Sequence, residues 1–329
     1  MNDLSGTTVL ITGGAGFIGS FIVDQLLEEG VEKIMVLDNL ARGSKSNIHA
    51  ALRSGKVDLI VGDIRDRGLL DDILKPVDYC FHMAALRINQ CNAEPREALE
   101  VMMDGTFNVA DACVKQGVKK IVLASSASVY GMADSFPTGE SHHPYNNRTL
   151  YGTLKLANEG ILRSFNEMYG LAYPGMRYLN VSGPRMDVWG KYTEVLVRWY
   201  KMIGEGKRPQ IYGDGKQTMD FIYVEDVARA NILALKSDVT DEVLNVGSGV
   251  ETSLEELCHL LLDVMGSELE PKFMPLPDQR RAVEVGRRLA DVTKAKERIG
   301  FEAEVPLRNG LRRLVSWLED TGANDDKWR

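Results

Sequence analysis

"VLITGGAGFIGSFIVDQLL", residues 9–27, reads as a buried strand, a glycine turn and the opening of a helix. The apolar run stops at Gly13, and Gly13, Gly16 and Gly19 follow a G-x-x-G-x-x-G spacing that takes in Phe17 and Ile18. A turn of this kind lets backbone N–H groups and the positive end of a helix approach a pyrophosphate. A glycine triplet alone is weak evidence. Here it follows a strand, opens a helix and precedes Asp38, the last residue of a second apolar run, "KIMVLD" (33–38). A carboxylate about 20 residues past the glycines accepts the adenosine ribose 2′-hydroxyl and repels a 2′-phosphate, which favours NAD over NADP. Arg42 lies close enough in sequence to soften that preference.

The pattern continues outward from the glycine turn. "VDLIVGD" (57–63), "VDYCFHMA" (77–84) and "KKIVLASS" (119–126) are short apolar runs of the sort that form strands covered on both faces. Helix-like segments separate them, among them "GTFNVADACVKQG", which ends at Gly117. The alternation predicts an α/β fold with a Rossmann-type, doubly wound parallel sheet. Asp63 and Ile64, at the end of the third run, are candidates for holding an adenine. Past about residue 175 the rhythm loosens. "GMRYLN" (175–180) and "EVLNVG" (242–247) read as further strands of the sheet. "YTEVLVRWYKMIGEG" and "TSLEELCHLLLDVMG" read as helices, the second opened by a capping box of Thr252 and Glu255. Residues 266–290 read as an extended, arginine-bearing segment lining something anionic. The expected organisation is an NAD-binding domain over 1–175, to which segments near 212–247 return, and a smaller interleaved substrate-binding lobe over 176–329.

Composition narrows the function classes. With 44% hydrophobic and 26% charged residues the 329-residue chain is an ordinary globular protein, able to bury a sizeable core. A formal charge of −8 argues against non-specific nucleic-acid binding. The four cysteines are scattered without a C-x-x-C and fit a reduced, cytoplasmic chain. The five histidines have no metal-ligand spacing, so no metal is expected, and adjacent His142 and His143 read as solvated loop residues. No apolar run approaches the ~20 residues of a membrane span.

Two stretches place a tyrosine four residues before a lysine: "LYGTLK" (150–155) and "YGDGK" (212–216). On a helix that spacing puts both side chains on one face. Gly213 and Gly215 make the second stretch a turn, so Tyr151 and Lys155 are the candidate pair. With the glycine fingerprint, "LASSASVYG" and "LYGTLK" in this order, the sequence resembles the extended short-chain dehydrogenase/reductases. More narrowly it is similar to the NAD-dependent epimerase/dehydratase family acting on nucleotide sugars, and to its UDP-sugar 4-epimerases. "DNLARG", "HMAA", "RYLNVSGPR", "YGDGKQTMDFIYVEDVARA" and "LADVTKAKERIGF" carry the resemblance along nearly the whole chain.

The resemblance implies that NAD is the cofactor and a nucleotide sugar, UDP-linked in preference, the substrate. It implies that Tyr151 is the acid/base, that Lys155 stabilises its phenolate and holds the nicotinamide ribose, and that Ser126 hydrogen-bonds the reacting hydroxyl. Ser125 and Ser128 are the neighbouring serines from which Ser126 must be told apart, and Ser128 is carried as a substrate contact. Asn39, Arg42, Gly43, Ala84 and Ala85 fall in the matched cofactor motifs, and Arg87 sits near the cofactor phosphates and the substrate. Asn180 and Arg281 match residues on the substrate's phosphate side; Arg280, Arg287 and Arg288 around the latter otherwise read as a solvated basic face. Relatives dimerise through helices here expected near 96–116 and 150–168, which implies a homodimer built on a four-helix bundle.

Three departures fall on the substrate side. The family's "TRDF" arginine, a phosphate ligand, is Met219, and methionine cannot pair with phosphate. Met102 stands where an asparagine is usual, and "YTEVLVRW" (192–199) replaces the usual segment packed on the nucleotide. Dehydratases place an Asp-Glu pair directly after the position of Ser126, and decarboxylases a glutamate two residues after it; here the residues are Ala127 and Ser128. Without that acid the simplest outcome of C4 oxidation is 4-epimerisation. Dehydration, decarboxylation with an acid such as Glu140 or Glu194, a dehydrogenase exchanging its cofactor, and a non-catalytic NAD-binding regulator are the alternatives.

Overall fold

The computed structural model describes residues 3–188, 194–276 and 285–321. Six runs form β1 (Thr8–Thr12), β2 (Lys33–Asp38), β3 (Val57–Val61), β4 (Tyr79–His82), β5 (Lys120–Ser126) and β6 (Pro174–Tyr178). Further along lie β7 (Asn180–Ser182), β8 (Gln210–Tyr212), β9 (Thr218–Tyr223), β10 (Glu242–Val246), β11 (Glu251–Ser253), β12 (Lys272–Met274) and β13 (Arg287–Arg288). The main sheet has the order β10-β6-β5-β4-β1-β2-β3, with every pairing parallel. The fold class read from the alternating runs therefore holds.

The two-residue alternation of strand side chains divides the core between the faces of this sheet. Val9 and Ile11 pack with Phe21, Ile22 and Leu26 of the helix Phe17–Glu28 and with Val224 and Val227 of the helix Val224–Lys236. Leu10 points the other way, into a second core with Val109 and Cys113 of the helix Gly105–Gln116 and Leu154 and Leu162 of the helix Leu150–Tyr169. Because both faces are covered, the central strands read as continuous apolar runs. β1 lies between β2 and β4, so the connections leave it in opposite directions, and a cleft opens at the carboxyl ends of the strands there.

The segment read as one strand over 175–180 is divided. β6 ends at Tyr178, Leu179 N–H donates to the Val246 carbonyl at 3.0 Å, and β7 pairs with β9 in a second sheet of order β11-β9-β13. Beside it a third core joins Trp199, Leu257, Leu261 and Leu314 from the helices Val195–Gly204, Leu254–Val264 and Leu307–Asp320. The capping box lies one residue later than expected. Thr252 is still paired with Met219 in the β11–β9 ladder, so the helix opens at Leu254 with Ser253 and Glu256 as the reciprocal pair. Gly213 and Gly215 have φ of 85° and 75°, left-handed values that hold "YGDGK" as a turn between β8 and β9.

Candidate active site

A cleft of about 1560 Å³ runs along the carboxyl ends of β1, β2, β4 and β5 and on between the main sheet and β9. The cofactor, proton-transfer and substrate candidates all line it except Arg281, which lies outside the described residues. The glycine turn forms one end. Gly13 has φ +70°, and a Cβ there would lie 2.8 Å from the Ala84 backbone nitrogen; one on Gly19 would run into the Gly13 carbonyl oxygen. Only glycine lets the turn and the β4 loop close on each other. Gly16 begins the helix Phe17–Glu28 without any side-chain cap, so the first-turn N–H groups face the cleft with the positive helix end behind them. That cradle fits a pyrophosphate.

Asp38 sits at the end of β2 and accepts from Ala15 N–H at 3.0 Å and Leu40 N–H at 2.9 Å. Burial pushes its carboxyl up, against those hydrogen bonds. Gly43 crosses so close that a Cβ would sit 2.6 Å from Asp38 Oδ1, which keeps the carboxylate's edge clear. Asp63 is engaged differently. Arg65 donates to both of its oxygens (2.9 and 2.8 Å) and Asn39 Nδ2 to one (3.2 Å); the Arg65 hydrogen bond chiefly holds its pKa down at about 2.

The helix Leu150–Tyr169 is capped by Thr149, whose hydroxyl accepts from Gly152 N–H, and it carries Tyr151 and Lys155 on one face. Lys155 Nζ donates to the Ala124 carbonyl at 2.5 Å and lies 5.8 Å from the centre of the Tyr151 ring. Burial lowers Lys155 to about 8, opposed by Cys91 and Glu159. Burial raises the Tyr151 phenol, while its hydrogen bond to Ser126 and the charges of Arg288 and Arg42 pull it down. The three serines separate cleanly. Ser125 Oγ donates to the buried Glu159 carboxylate, which also holds Arg177 in a two-point pair at 2.9 and 2.7 Å. Ser126 Oγ accepts from Ser128 N–H at 3.1 Å and turns to Tyr151. Ser128 lines the cleft next to it.

On the opposite wall Asn180 donates Nδ2 to the Asp220 carbonyl at 3.1 Å. Arg87 approaches Glu194 at 3.5 Å and Asp187 at 3.7 Å, and Arg42 approaches the same Asp187 at 3.7 Å. Burial, then the neighbouring Arg87, bring Arg42 down to about 10. Met102 is buried against Cys91 Sγ, 3.6 Å from its sulfur, so an apolar contact fills the position where the family carries an asparagine.

Sequence reasoning missed three groups. Arg185 lines the cleft with φ +66°, paired to Asp24 at 2.7 Å and lying over the Phe21 ring. Behind the glycine turn, Thr106 Oγ1 donates to the Met102 carbonyl, so it accepts from His82 Nε2–H, which leaves His82 Nδ1 to accept from Thr12. Burial drives His82 down to about 3, consistent with that neutral tautomer. Lastly, Asp134, His142 and His143 converge in the loop before Tyr151. His143 Nδ1 accepts from Tyr145 N–H, so its Nε2 carries the proton toward Asp134 in a hydrogen-bonded cluster. His82 and Arg185 lay in the quoted stretches "HMAA" and "RYLNVSGPR", and His142 and His143 read as solvated loop residues, whereas the His142 side chain is only 4% exposed; the contacts that define all of them are made by the fold.

A profile of the "NAD dependent epimerase/dehydratase family" matches residues 9–247. A UDP-glucose 4-epimerase of Mycolicibacterium smegmatis is 36% identical over 94% of this chain and 98% of its own. A UDP-N-acetyl-alpha-D-glucosaminuronate decarboxylase of Bacillus cytotoxicus is 32% identical over 94% and 97%. Among solved structures, the UDP-N-acetylglucosamine 4-epimerase of Methanobrevibacter ruminantium, in complex with UDP-N-acetylmuramic acid, superposes with a TM-score of 0.90 at 34% identity, covering 96% of this chain and 99% of that one.

Proposed function

The chain belongs to the NAD-dependent epimerase/dehydratase family, and from that premise we propose that it is an NAD-dependent nucleotide-sugar epimerase inverting C4 of a UDP-hexose through a transient 4-keto sugar. One observation carries this reading: Tyr151 is hydrogen-bonded to Ser126 and one turn ahead of Lys155 in a dinucleotide cleft, with Ala127 and Ser128 where related enzymes carry acids.

The bound cofactor would be NAD, whose nicotinamide would supply reversible hydride acceptance for C4. Tyr151 removes the O4 proton and returns it after the sugar has turned. An ordinary tyrosine near pKa ~10 is a poor base at neutral pH, so the cations around it do essential work. Lys155, Arg42 and Arg288 all favour the phenolate, and Ser126 hydrogen-bonds the reacting hydroxyl. Gly13, Gly16, Phe17, Ile18 and Gly19 hold the pyrophosphate, Asp38 the adenosine ribose, and Asn39, Arg42, Gly43, Asp63, Ile64, Ala84, Ala85 and Arg87 complete the cofactor's walls. Asn180, Ser128 and Arg87 face the nucleotide sugar, whose hexose is of glucose, N-acetylhexosamine or uronic acid type. Residues 1–175 form the cofactor domain and 176–329 mainly the substrate lobe; of the segment 212–247, the helix Val224–Lys236 and β10 return to the main sheet, while β9 belongs to the second sheet.

A second reading, decarboxylation or dehydration of the 4-keto sugar, rests on Glu194, an acid that does line the cleft. Glu140 is drawn elsewhere, its Oε1 accepting from Asn245 N–H. Incubation with UDP-, GDP- and dTDP-sugars, with products resolved by NMR, decides the matter. The C4 epimer without net NADH is expected; released CO2 or a 4-keto-6-deoxy sugar would overturn the epimerase reading.

The helices Gly105–Gln116 and Leu150–Tyr169 are the proposed dimer face. They pack through a Phe107–Phe165 edge contact and leave Phe107, Met168 and Tyr169 between 47% and 57% exposed. No helix among the described residues is long and apolar enough to cross a membrane, and the four cysteines are free, in keeping with a cytoplasmic enzyme.

A further inference from the structure

Arg287 and Arg288 are the whole of β13, and consecutive strand residues leave on opposite faces. Arg287 turns away from the cleft. Its guanidinium forms a two-point pair with Glu251 (2.7 and 2.8 Å) and lies 4.6 Å from the centre of the Phe136 ring. Thr218, its register partner on β9, donates to the same carboxylate. Arg288 faces the cleft, which it lines together with Tyr151, Ser126, Asn180 and Met219.

In the parallel register of β13 on β9, Arg288 stands directly beside Met219. Paired residues of neighbouring strands share a face, so the guanidinium leaves the sheet next to the very side chain that lacks the family's positive charge. Beyond the backbone pairing of β13 with β9, no hydrogen bond or ion pair joins the Arg288 guanidinium to a described residue. Burial lowers its pKa, and the charge it feels most is that of Tyr151. Arg288 is half-buried, lining the cleft with a charge that no carboxylate among the described residues answers, and a guanidinium's forked donors suit two oxygens of one phosphate or carboxylate.

We infer that Arg288 is a substrate-binding residue that grips an anionic oxygen group of the nucleotide sugar beside Tyr151, supplying from β13 the charge that Met219 removes from β9. The inference rests on the nucleotide-sugar reading above. The oxygens belong either to the diphosphate or to a carboxylate on the sugar.

Calorimetric binding of UDP, UDP-glucose and UDP-glucuronate to the NAD-bound protein tests this without requiring turnover. Arg288→Met is expected to weaken binding about tenfold to hundredfold, the range for a lost hydrogen bond to a charged group. An equal loss for all three ligands, restored by adding Met219→Arg, identifies the diphosphate as the partner. A loss confined to UDP-glucuronate identifies a sugar carboxylate. Arg288→Lys keeps the charge but not the fork; it is expected to retain part of the affinity, and it carries the test if the methionine variant does not fold. Affinities within about twofold of wild type for every ligand overturn the inference. So does a wild-type protein that binds none of the three, which also removes the UDP-sugar premise. A protein that binds them, weakens on Arg288→Met and yet epimerises no sugar leaves Arg288 in place and removes only the epimerase reading.

Discussion

The two walls of the cleft follow different rules. On the cofactor wall, position after position is dictated by close approach: the backbone at Gly13 and Gly19 leaves no room for a Cβ, and Gly43 leaves none against Asp38. On the substrate wall, Met219 stands where a charge was expected, and an arginine from another strand faces the space beside it, whereas Met102 lies off the cleft in the core against Cys91. A wall that must fit backbone against a fixed ligand tolerates little variation. A wall that must supply a charge can draw it from any neighbouring strand that reaches the same point. The first therefore keeps its sequence signature while the second can move it.

Tyr151→Phe should give the largest effect. Loss of the proton-transfer group is expected to cut turnover by about 10³-fold or more while NAD content stays near wild type, read by epimer formation and by cofactor released on denaturation. Near-wild-type turnover would remove Tyr151 from the mechanism and with it the functional contrast between the walls. Glu159→Gln strips the buried Arg177 of its counter-charge and should cost about 3 kcal/mol of stability, measured by urea unfolding. An unchanged midpoint would mean that Arg177 does not depend on Glu159 for its counter-charge.

Lys155→Met offers a pH test of the cofactor wall. Lys155 titrates at about 8 in the folded protein against 10.5 for the ordinary group. Its burial therefore costs stability below pH 8, and the cost fades as pH rises toward 10.5, because the unfolded chain holds the proton more tightly in that window. The stability difference between Lys155→Met and wild type should accordingly shift in favour of wild type by up to roughly 2–3 kcal/mol across that interval. A difference independent of pH would show that Lys155 is not desolvated. Gly43→Ala should have the smallest effect, about tenfold weaker NAD retention from the methyl pressed against Asp38, seen in the cofactor content after dialysis. Full retention would show more slack on this wall than its backbone spacing implies.

Those same constraints explain what was readable in the chain. The glycine turn, Asp38 and the Tyr151–Lys155 pair are local patterns with a steric or helical reason for their spacing. Ser126 was chosen over Ser125 and Ser128 on the flanking "SVYG", but the physical reason for the choice is not local. It lies with Glu159 and Arg177, which meet Ser125 only after β5, β6 and the helix Leu150–Tyr169 have assembled. Met219 was visible as a missing arginine, yet Arg288 read equally well as a solvated basic face, because its partnership with Met219 exists only in the β9–β13 register. The capping box slipped by one residue for a similar reason, the strand pairing of Thr252 outweighing its capping preference.

The single residue between β6 and β7 has a mechanical meaning. The chain passes from the main sheet to the second sheet across Leu179 alone, returns through the helix Val224–Lys236 to β10, and leaves again across residues 247–250 to β11. Stitched in this way, the two sheets are joined at seams of one residue (Leu179) and four (247–250) among the described residues. Unfolding should proceed as one cooperative transition, and a nick at any one seam would leave the others holding the halves in register.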